Sequence, residues 1–112
     1  MKIQFNTDNN IKGSEKFREP LITMLSEELK RFSDQISRLE VYLTDETGKK
    51  NGVMDKRCVL EARIAGRQPI AVKSKADSIH KAVDEAVDKL KNSLTSKLDR
   101  RKDHTKKPDS LS

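Results

Sequence analysis

The longest hydrophobic pattern of the chain lies between residues 76 and 103. Its apolar side chains recur at steps of three and four residues, which is the spacing of one face of an α-helix. They are Ile79, Val83, Ala86, Val87, Leu90, Leu94 and Leu98. Asp77 is suited to cap the first turn, and neither Gly nor Pro interrupts the pattern before Pro108. The pattern predicts one long amphipathic helix over this stretch.

Four shorter stretches alternate apolar and polar residues, which is the period of a β-strand with one buried face. They lie at residues 2–6, 38–44, 57–64 and 70–75. Ser14 is a suitable N-cap for a helix between the first two strands. The buried side of this predicted first helix comprises Phe17, Leu21, Met24 or Leu25, Leu29 and Phe32. Pro20 falls inside the helix, where it removes a hydrogen bond and is expected to kink or restart it.

The order of the predicted elements is strand, helix, three strands, helix. Because every strand alternates and both helices are amphipathic, we expect both helices to cover one face of the sheet and the other face to meet water. The predicted fold class is α+β, with βαβββα topology and a four-stranded mixed sheet that has two helices packed on one face. A chain of 112 residues can bury one modest core. We assign residues 1–104 to a single domain and expect residues 105–112 to form a disordered polar tail.

The positive charge of the chain is concentrated at its C-terminal end. Residues 1–88 carry 16 Lys and Arg against 15 Asp and Glu, whereas residues 89–112 carry 8 against 3. The predicted water-facing side of the sheet is also basic, because six cations there face only Glu40 and Glu61. The six are Lys2, Arg38, Arg57, Arg63, Lys73 and Lys75. A basic helix end beside a basic sheet face indicates a polyanionic partner.

Residues that could carry catalysis or bind a metal are few. His80 and His104 are the only histidines, and the single cysteine, Cys58, falls on an inward strand position, where a thiol is usually inert. No spacing of ligands typical of a metal site and no poised carboxylate pair is present. We therefore expect no enzymatic activity, no cofactor and no metal. One cysteine, no apolar leader and no apolar run long enough to cross a membrane together favour a cytoplasmic protein.

Three classes of non-enzymatic function fit these features. The first is an RNA-binding module that grips backbone phosphates through Lys and Arg. The second is a membrane-surface protein, which is disfavoured because the predicted core needs the apolar face of the basic helix. The third is a protein-interaction domain whose charge only aids solubility. A module that reads single-stranded nucleic acid by stacking is expected to have more than the four aromatic residues of this chain.

The ordered pattern of the chain resembles that of a bacterial protein family. The segment KSKADSIHKAVDEAVDKLKNSLTSKLDRRKDH is similar to the last strand and helix of ribosome hibernation-promoting factors and the ribosome-associated inhibitor, also called sigma-54 modulation proteins. The N-terminal half adds a short strand with Ile and Phe, a helix that ends in LKRF and a strand with the sequence ISRLEVYL. The resemblance covers about residues 2–104. The loop after the second strand is longer than usual in the family, and we expect a divergent, short member without the extra dimerisation domain of long members.

The resemblance implies the βαβββα fold and binding to rRNA of the small ribosomal subunit, between its head and body. A protein there blocks the paths of mRNA and tRNA and silences idle ribosomes. The resemblance further implies a monomer off the ribosome, with no membrane and no small-molecule substrate. A protein-interaction domain of the same fold with a non-ribosomal partner is the alternative. The implied rRNA contacts on the last helix are Lys89, Lys91, Lys97, Arg100, Arg101 and Lys102, and those on the sheet are Arg38, Arg63, Lys73 and Lys75.

Overall fold

A computed structural model of the chain describes residues 1–7, 15–45 and 56–98. The elements follow the predicted order of strand, helix, three strands and helix, so the predicted α+β class is confirmed. They are β1 (Lys2–Thr7), α1 (Glu15–Glu28), a 3₁₀ turn (Lys30–Phe32), β2 (Ile36–Asp45), β3 (Lys56–Ile64), β4 (Ile70–Ala76) and α2 (Ile79–Leu98). Ser14, the loop after β2 and the predicted tail at residues 105–112 lie outside the described residues.

The four strands form one mixed sheet in the order β1-β2-β3-β4. β1 runs parallel to β2, and the other two pairs are antiparallel. A parallel pair of consecutive strands needs a crossover connection, and α1 lies in that connection. The short β3–β4 connection contains Gly66, whose positive φ of 74° is the left-handed conformation that glycine adopts without strain. The sheet therefore has β1 and β4 as its edges and β2 and β3 at its centre.

Both helices contribute to one hydrophobic core on one face of the sheet. From α1 and the 3₁₀ turn, Leu21, Leu25 and Phe32 are buried, and β1 adds the partly buried Ile3 and Phe5. The inward positions of the other strands alternate as predicted; they are Leu39, Val41, Leu43, Cys58, Leu60, Ala62, Ile64, Ile70 and Ala76. The buried residues of α2 are Ala82, Val83, Ala86, Val87, Leu90 and Leu94. The described residues that the patterns assigned to the core are therefore buried in it or, at Ile3, Phe5, Met24, Val72, Ile79 and Leu98, partly buried against it. The side chain of Phe17 lies outside the described part of the chain.

Three local details differ from the sequence-based expectations. Helix α1 continues through Pro20 without restarting, because the burial of Leu21 and Leu25 in the core offsets the cost of the proline. Helix α2 begins at Ile79, and its cap is Ser78 instead of Asp77: the Ser78 hydroxyl accepts a hydrogen bond from the Lys81 amide at 3.2 Å. The Asp77 carboxylate instead pairs with the Lys81 ammonium at 3.2 Å.

Strand β2 begins two residues earlier than predicted and contains an irregularity at Ser37. Ile36 pairs with Ile64 and Arg38 pairs with Arg63, so one additional residue of β2 lies between these pairs. Such a bulge moves the following side chains to the other face, and both Ile36 and Leu39 can therefore reach the core. It also fixes the side on which Arg38 lies.

Candidate nucleic-acid interface

The face of the sheet opposite the helices carries the polar positions of all four strands. The register aligns them in rows: Lys2 lies beside Arg38 and Arg38 beside Arg63, while Arg57 lies beside Lys75 on the other end. These side chains are exposed or half-buried, in contrast to their buried neighbours along each strand. We call this surface the open face. It contains all six cations and both carboxylates that the alternation predicted for it.

The two carboxylates of the open face are neutralised by their neighbours. Glu40 and Glu61 lie directly opposite each other on β2 and β3, an arrangement that is repulsive by itself. Arg38 donates to Glu40 at 2.8 Å, and Arg63 pairs with Glu61 at 3.5 Å. The Tyr42 hydroxyl also donates to Glu40, and this hydrogen bond, followed by the charge of Arg38, lowers the pKa of the Glu40 carboxyl. Two of the predicted rRNA contacts, Arg38 and Arg63, are therefore engaged in ion pairs.

A group of cations on and beside β4 lines a shallow cleft of about 280 Å³. Its members are Arg57, Lys73, Lys75 and Lys89, and we call it the β4 basic cluster. The Lys89 ammonium donates to the backbone carbonyl of Lys73 at 2.9 Å, which joins α2 to the edge strand. Among the described residues, the Lys73 and Lys75 ammonium groups pair with no carboxylate. Two free lysine charges beside an open cleft are suited to phosphate groups.

The remaining predicted contacts on α2 lie elsewhere. The Lys91 ammonium is 2.8 Å from the Glu28 carboxylate, on the flank of α2 that meets the end of α1, and this contact raises the pKa of Lys91. Lys97 is exposed near the β3–β4 connection, where the Arg67 guanidinium lies 3.4 Å from the Lys97 carbonyl. Arg100, Arg101 and Lys102 are outside the described residues. The structure thus brings Lys73, Lys75 and Lys89 together but separates them from Lys91.

Two cations that the sequence-based set of contacts omitted lie beside its members. Arg57 lines the β4 basic cluster, and its outward position was evident from the strand alternation. Arg67 lies in the β3–β4 connection, next to the last turn of α2, and no pattern in the sequence signals that neighbourhood. Strand alternation can assign a residue to a face, whereas contacts between a turn and a helix end depend on the tertiary packing.

Other kinds of site find little support in the part of the chain that the structure describes. That part contains no group of three or more His, Cys, Asp or Glu side chains that could hold a metal ion. Within the same ranges, no helix is long and apolar enough to cross a membrane. Cys58 is buried on the helix-facing side of β3, and burial raises the pKa of its thiol to about 12. The thiol is therefore protonated at neutral pH and unsuited to nucleophilic attack.

Solved structures from two bacteria share the fold of this chain. The N-terminal domain of Protein Y from Thermus thermophilus is similar with a TM-score of 0.66 and 22% identity, over 84% of this chain and 96% of that one. A ribosomal subunit interface protein from Coxiella burnetii is similar with a TM-score of 0.63 and 23% identity, over 86% of this chain and 96% of that one. No curated protein sequence matches the chain.

The family match extends over nearly the whole fold. Residues 3–102 match the family described as sigma 54 modulation protein / S30EA ribosomal protein. This range includes all of the described strands and helices except Lys2 of β1, and it extends to the basic residues that follow Leu98 in the sequence. This range agrees with the resemblance that the ordered pattern indicated. The chain therefore belongs to the sigma 54 modulation protein / S30EA ribosomal protein family.

Proposed function

We propose that this protein binds rRNA of the small ribosomal subunit between its head and body and thereby blocks the access of mRNA and tRNA. Membership of a ribosomal protein family supports the choice of partner. The observation that carries the proposal is the β4 basic cluster, where Lys73 and Lys75 hold charges that no described carboxylate neutralises. On this proposal the protein acts in the cytoplasm, as a monomer until it meets a ribosome, and keeps idle ribosomes silent.

The proposed interface joins the β4 basic cluster to the C-terminal end of α2. Lys97 lies at that end, and Arg100, Arg101 and Lys102 follow it in the sequence. Arg38 and Arg63 are weaker candidates for rRNA contacts, because each guanidinium would be shared between a carboxylate and a phosphate. Lys91 is the least suited of the set, because Glu28 already pairs with it. Contacts to phosphate fix position and affinity but carry no base sequence by themselves.

Equilibrium binding to purified small subunits across a range of salt concentrations tests the proposal. Each phosphate that a lysine neutralises releases a counterion, so log K should fall against log salt with a slope of about −0.7 to −0.9 per contact. The double variant Lys73→Glu/Lys75→Glu should bind more weakly at low salt and should have a shallower slope. The proposal also predicts that mRNA and tRNA compete with the protein.

A matched control has the same change in charge at another place. Lys30 and Lys81 are exposed and lie off the open face, so Lys30→Glu/Lys81→Glu should bind more tightly than the β4 variant. Equal losses of affinity in the two variants would show that the effect comes from net charge alone. Absence of binding to small subunits at low salt would reject the proposal in favour of a protein-interaction domain with another partner.

A further inference from the structure

Tyr42 is an aromatic side chain exposed in the interior of a basic sheet face. It lies on β2, an inner strand, and 37% of its surface is accessible. In its row on the open face, Asn6 lies on one side and Val59 on the other, and Lys73 of the β4 basic cluster follows Val59. The core does not need this ring, because the buried positions of β2 face the helices. A large aromatic ring that is exposed on a basic face and not needed by the core is available for a contact at the surface.

The Tyr42 ring is held in one orientation. Its hydroxyl donates a hydrogen bond to Glu40 Oε1 at 2.7 Å, while Glu40 Oε2 accepts from Arg38 at 2.8 Å. Glu40 is itself only 8% exposed, so the acceptor is anchored in the sheet. A ring fixed in this way loses little conformational freedom when a partner stacks on it. The Glu40 carboxylate thus orients the Tyr42 ring and also forms the ion pair with Arg38.

Unpaired RNA matches both the ring and the charges around it. A nucleobase stacks on an aromatic face, and the phosphates on either side of it need cations nearby. Lys73 is two strands from Tyr42, about 10 Å at the usual strand spacing, a gap that a lysine side chain and one nucleotide can bridge together. A duplex keeps its bases stacked on each other and offers no free face to the ring.

We propose that Tyr42 stacks an unpaired base of the bound RNA while Lys73 and Lys75 contact the phosphates beside it. This inference rests on the RNA binding proposed above and specifies which RNA the open face takes: a single-stranded or bulged nucleotide, not a regular helix. One well-placed ring accommodates one base, so the small number of aromatic residues in the chain limits the extent of stacking without excluding it.

The composition of the chain permits a direct test, because Tyr42 is its only tyrosine and it has no tryptophan. Intrinsic tyrosine fluorescence therefore reports on this ring alone. A short single-stranded oligouridylate should quench the fluorescence as it binds. An oligonucleotide of the same length with abasic sites keeps the phosphates but lacks the bases and should leave the emission largely unchanged. Duplex RNA should quench less than the single strand.

Variants at position 42 then connect the ring to small-subunit binding. Tyr42→Ala should weaken binding about tenfold or more, whereas Tyr42→Phe, which retains the ring face, should stay within a few-fold of the original protein. Val59→Ala removes apolar surface from the neighbouring position without removing a ring and serves as the matched control. Melting curves of all three variants separate lost stacking from lost folding. Tyr42→Trp, which preserves a larger ring, gives a second measure of stacking if Tyr42→Ala fails to fold.

The outcomes distinguish this inference from the function on which it rests. Quenching that requires bases, together with weak binding by Tyr42→Ala alone, would support stacking. If small subunits bind wild type and Tyr42→Ala equally well and the oligouridylate does not quench, the stacking inference is overturned while RNA binding through phosphates stands. If the wild-type protein does not bind small subunits at all, both are overturned.

Discussion

Glu40 combines several roles in one side chain on the open face. It lies opposite Glu61, and it accepts hydrogen bonds from Tyr42 and Arg38. These donors favour the ionised carboxylate more than its burial disfavours it, so the pKa of Glu40 lies below its ordinary value of 4.5. Arg38 and Arg63 thus balance the charges of the two opposed carboxylates. The net positive charge of the open face then comes largely from Lys73 and Lys75, which pair with no carboxylate of the described residues.

The lowered pKa of Glu40 predicts a dependence of stability on pH. A carboxyl whose pKa is lower in the folded protein stabilises it above the unfolded-state pKa, and this contribution is lost as the pH falls through the folded-state value. Glu40→Gln should therefore melt at a lower temperature than the original protein at pH 7. The difference should shrink as the pH falls below about 4.5. Thermal melts at a series of pH values test this, with Glu61→Gln as the control that keeps the Tyr42 hydrogen bond.

Cys58 gives a second prediction at the residue scale, because its pKa is raised whereas that of Glu40 is lowered. Cys58→Ala should cost roughly 1 kcal/mol of stability at neutral pH, the typical loss for a point substitution, and should leave RNA binding intact. Burial raises the pKa of the thiol from 9.0 to about 12. Ionisation of the thiol therefore favours the unfolded state more and more as the pH rises between these two values. The free energy of unfolding of the original protein, relative to that of Cys58→Ala, should therefore decline by about 1.4 kcal/mol per pH unit between pH 9 and about 12.

Reactivity provides an independent check of the same burial. A mild alkylating reagent should modify the native protein much more slowly than it modifies free cysteine, and denaturant should abolish the difference. A native thiol that reacts as fast as free cysteine would refute the burial of Cys58.

At the scale of elements, the exposed edge strand β4 and the helix α2 are joined by Lys89. Its ammonium donates to the Lys73 carbonyl, one of the backbone groups that an edge strand leaves without a partner strand. The resemblance to the family implied a phosphate contact for Lys89, and the structure adds a hydrogen bond between α2 and β4. Lys75 lies in the same basic cluster with no such backbone contact among the described residues.

This difference predicts a divergence between two substitutions that each remove one charge. Lys89→Met and Lys75→Met should weaken small-subunit binding to similar extents. Only Lys89→Met should also reduce the free energy of unfolding, by up to about 1 kcal/mol, because it loses a hydrogen bond. Chemical denaturation and binding measured on both variants make the comparison. Equal stability of the two variants would show that the Lys89 contact contributes nothing to the fold.

The sequence predicted the elements better than their boundaries and contacts. Alternation in β2 to β4 and the stripe on α2 depend on local periodicity, so the strand faces and the helix were accessible from the pattern alone. The N-cap of α2 was not accessible in this way, because Asp77 and Ser78 are both suitable capping residues and the conformation of the backbone decides between them. The bulge at Ser37 depends on pairing with β3, and the separation of Lys89 from Lys91 depends on which flank of α2 meets each neighbour.

At the scale of the whole molecule, the helix layer and the open face have separate tasks. The helices and the inward strand positions supply the core, whereas the open face and the edge of β4 present charge to solvent. Helix α2 links the two, because its N-terminal half follows β4 and its last turn reaches the β3–β4 connection through the contact between Arg67 and Lys97. The cations that follow in the sequence, Arg100 and Arg101, extend this basic surface on our proposal.

Substitution of those two arginines tests how the C-terminal cations contribute. Arg100→Glu/Arg101→Glu should weaken small-subunit binding and relieve inhibition of translation. If these side chains act through contacts with RNA and not through the fold, the stability should change by less than about 0.5 kcal/mol per position. The contrary result, a lower melting temperature with unchanged ribosome binding, would assign these charges to helix electrostatics alone.

The most direct measurement of the central claim is sedimentation of a stationary-phase lysate through a sucrose gradient at low salt, with the protein detected in each fraction. The wild-type protein should migrate with small subunits or whole ribosomes, and Arg100→Glu/Arg101→Glu should shift toward the top of the gradient. Recovery of the wild-type protein only at the top would contradict ribosome binding.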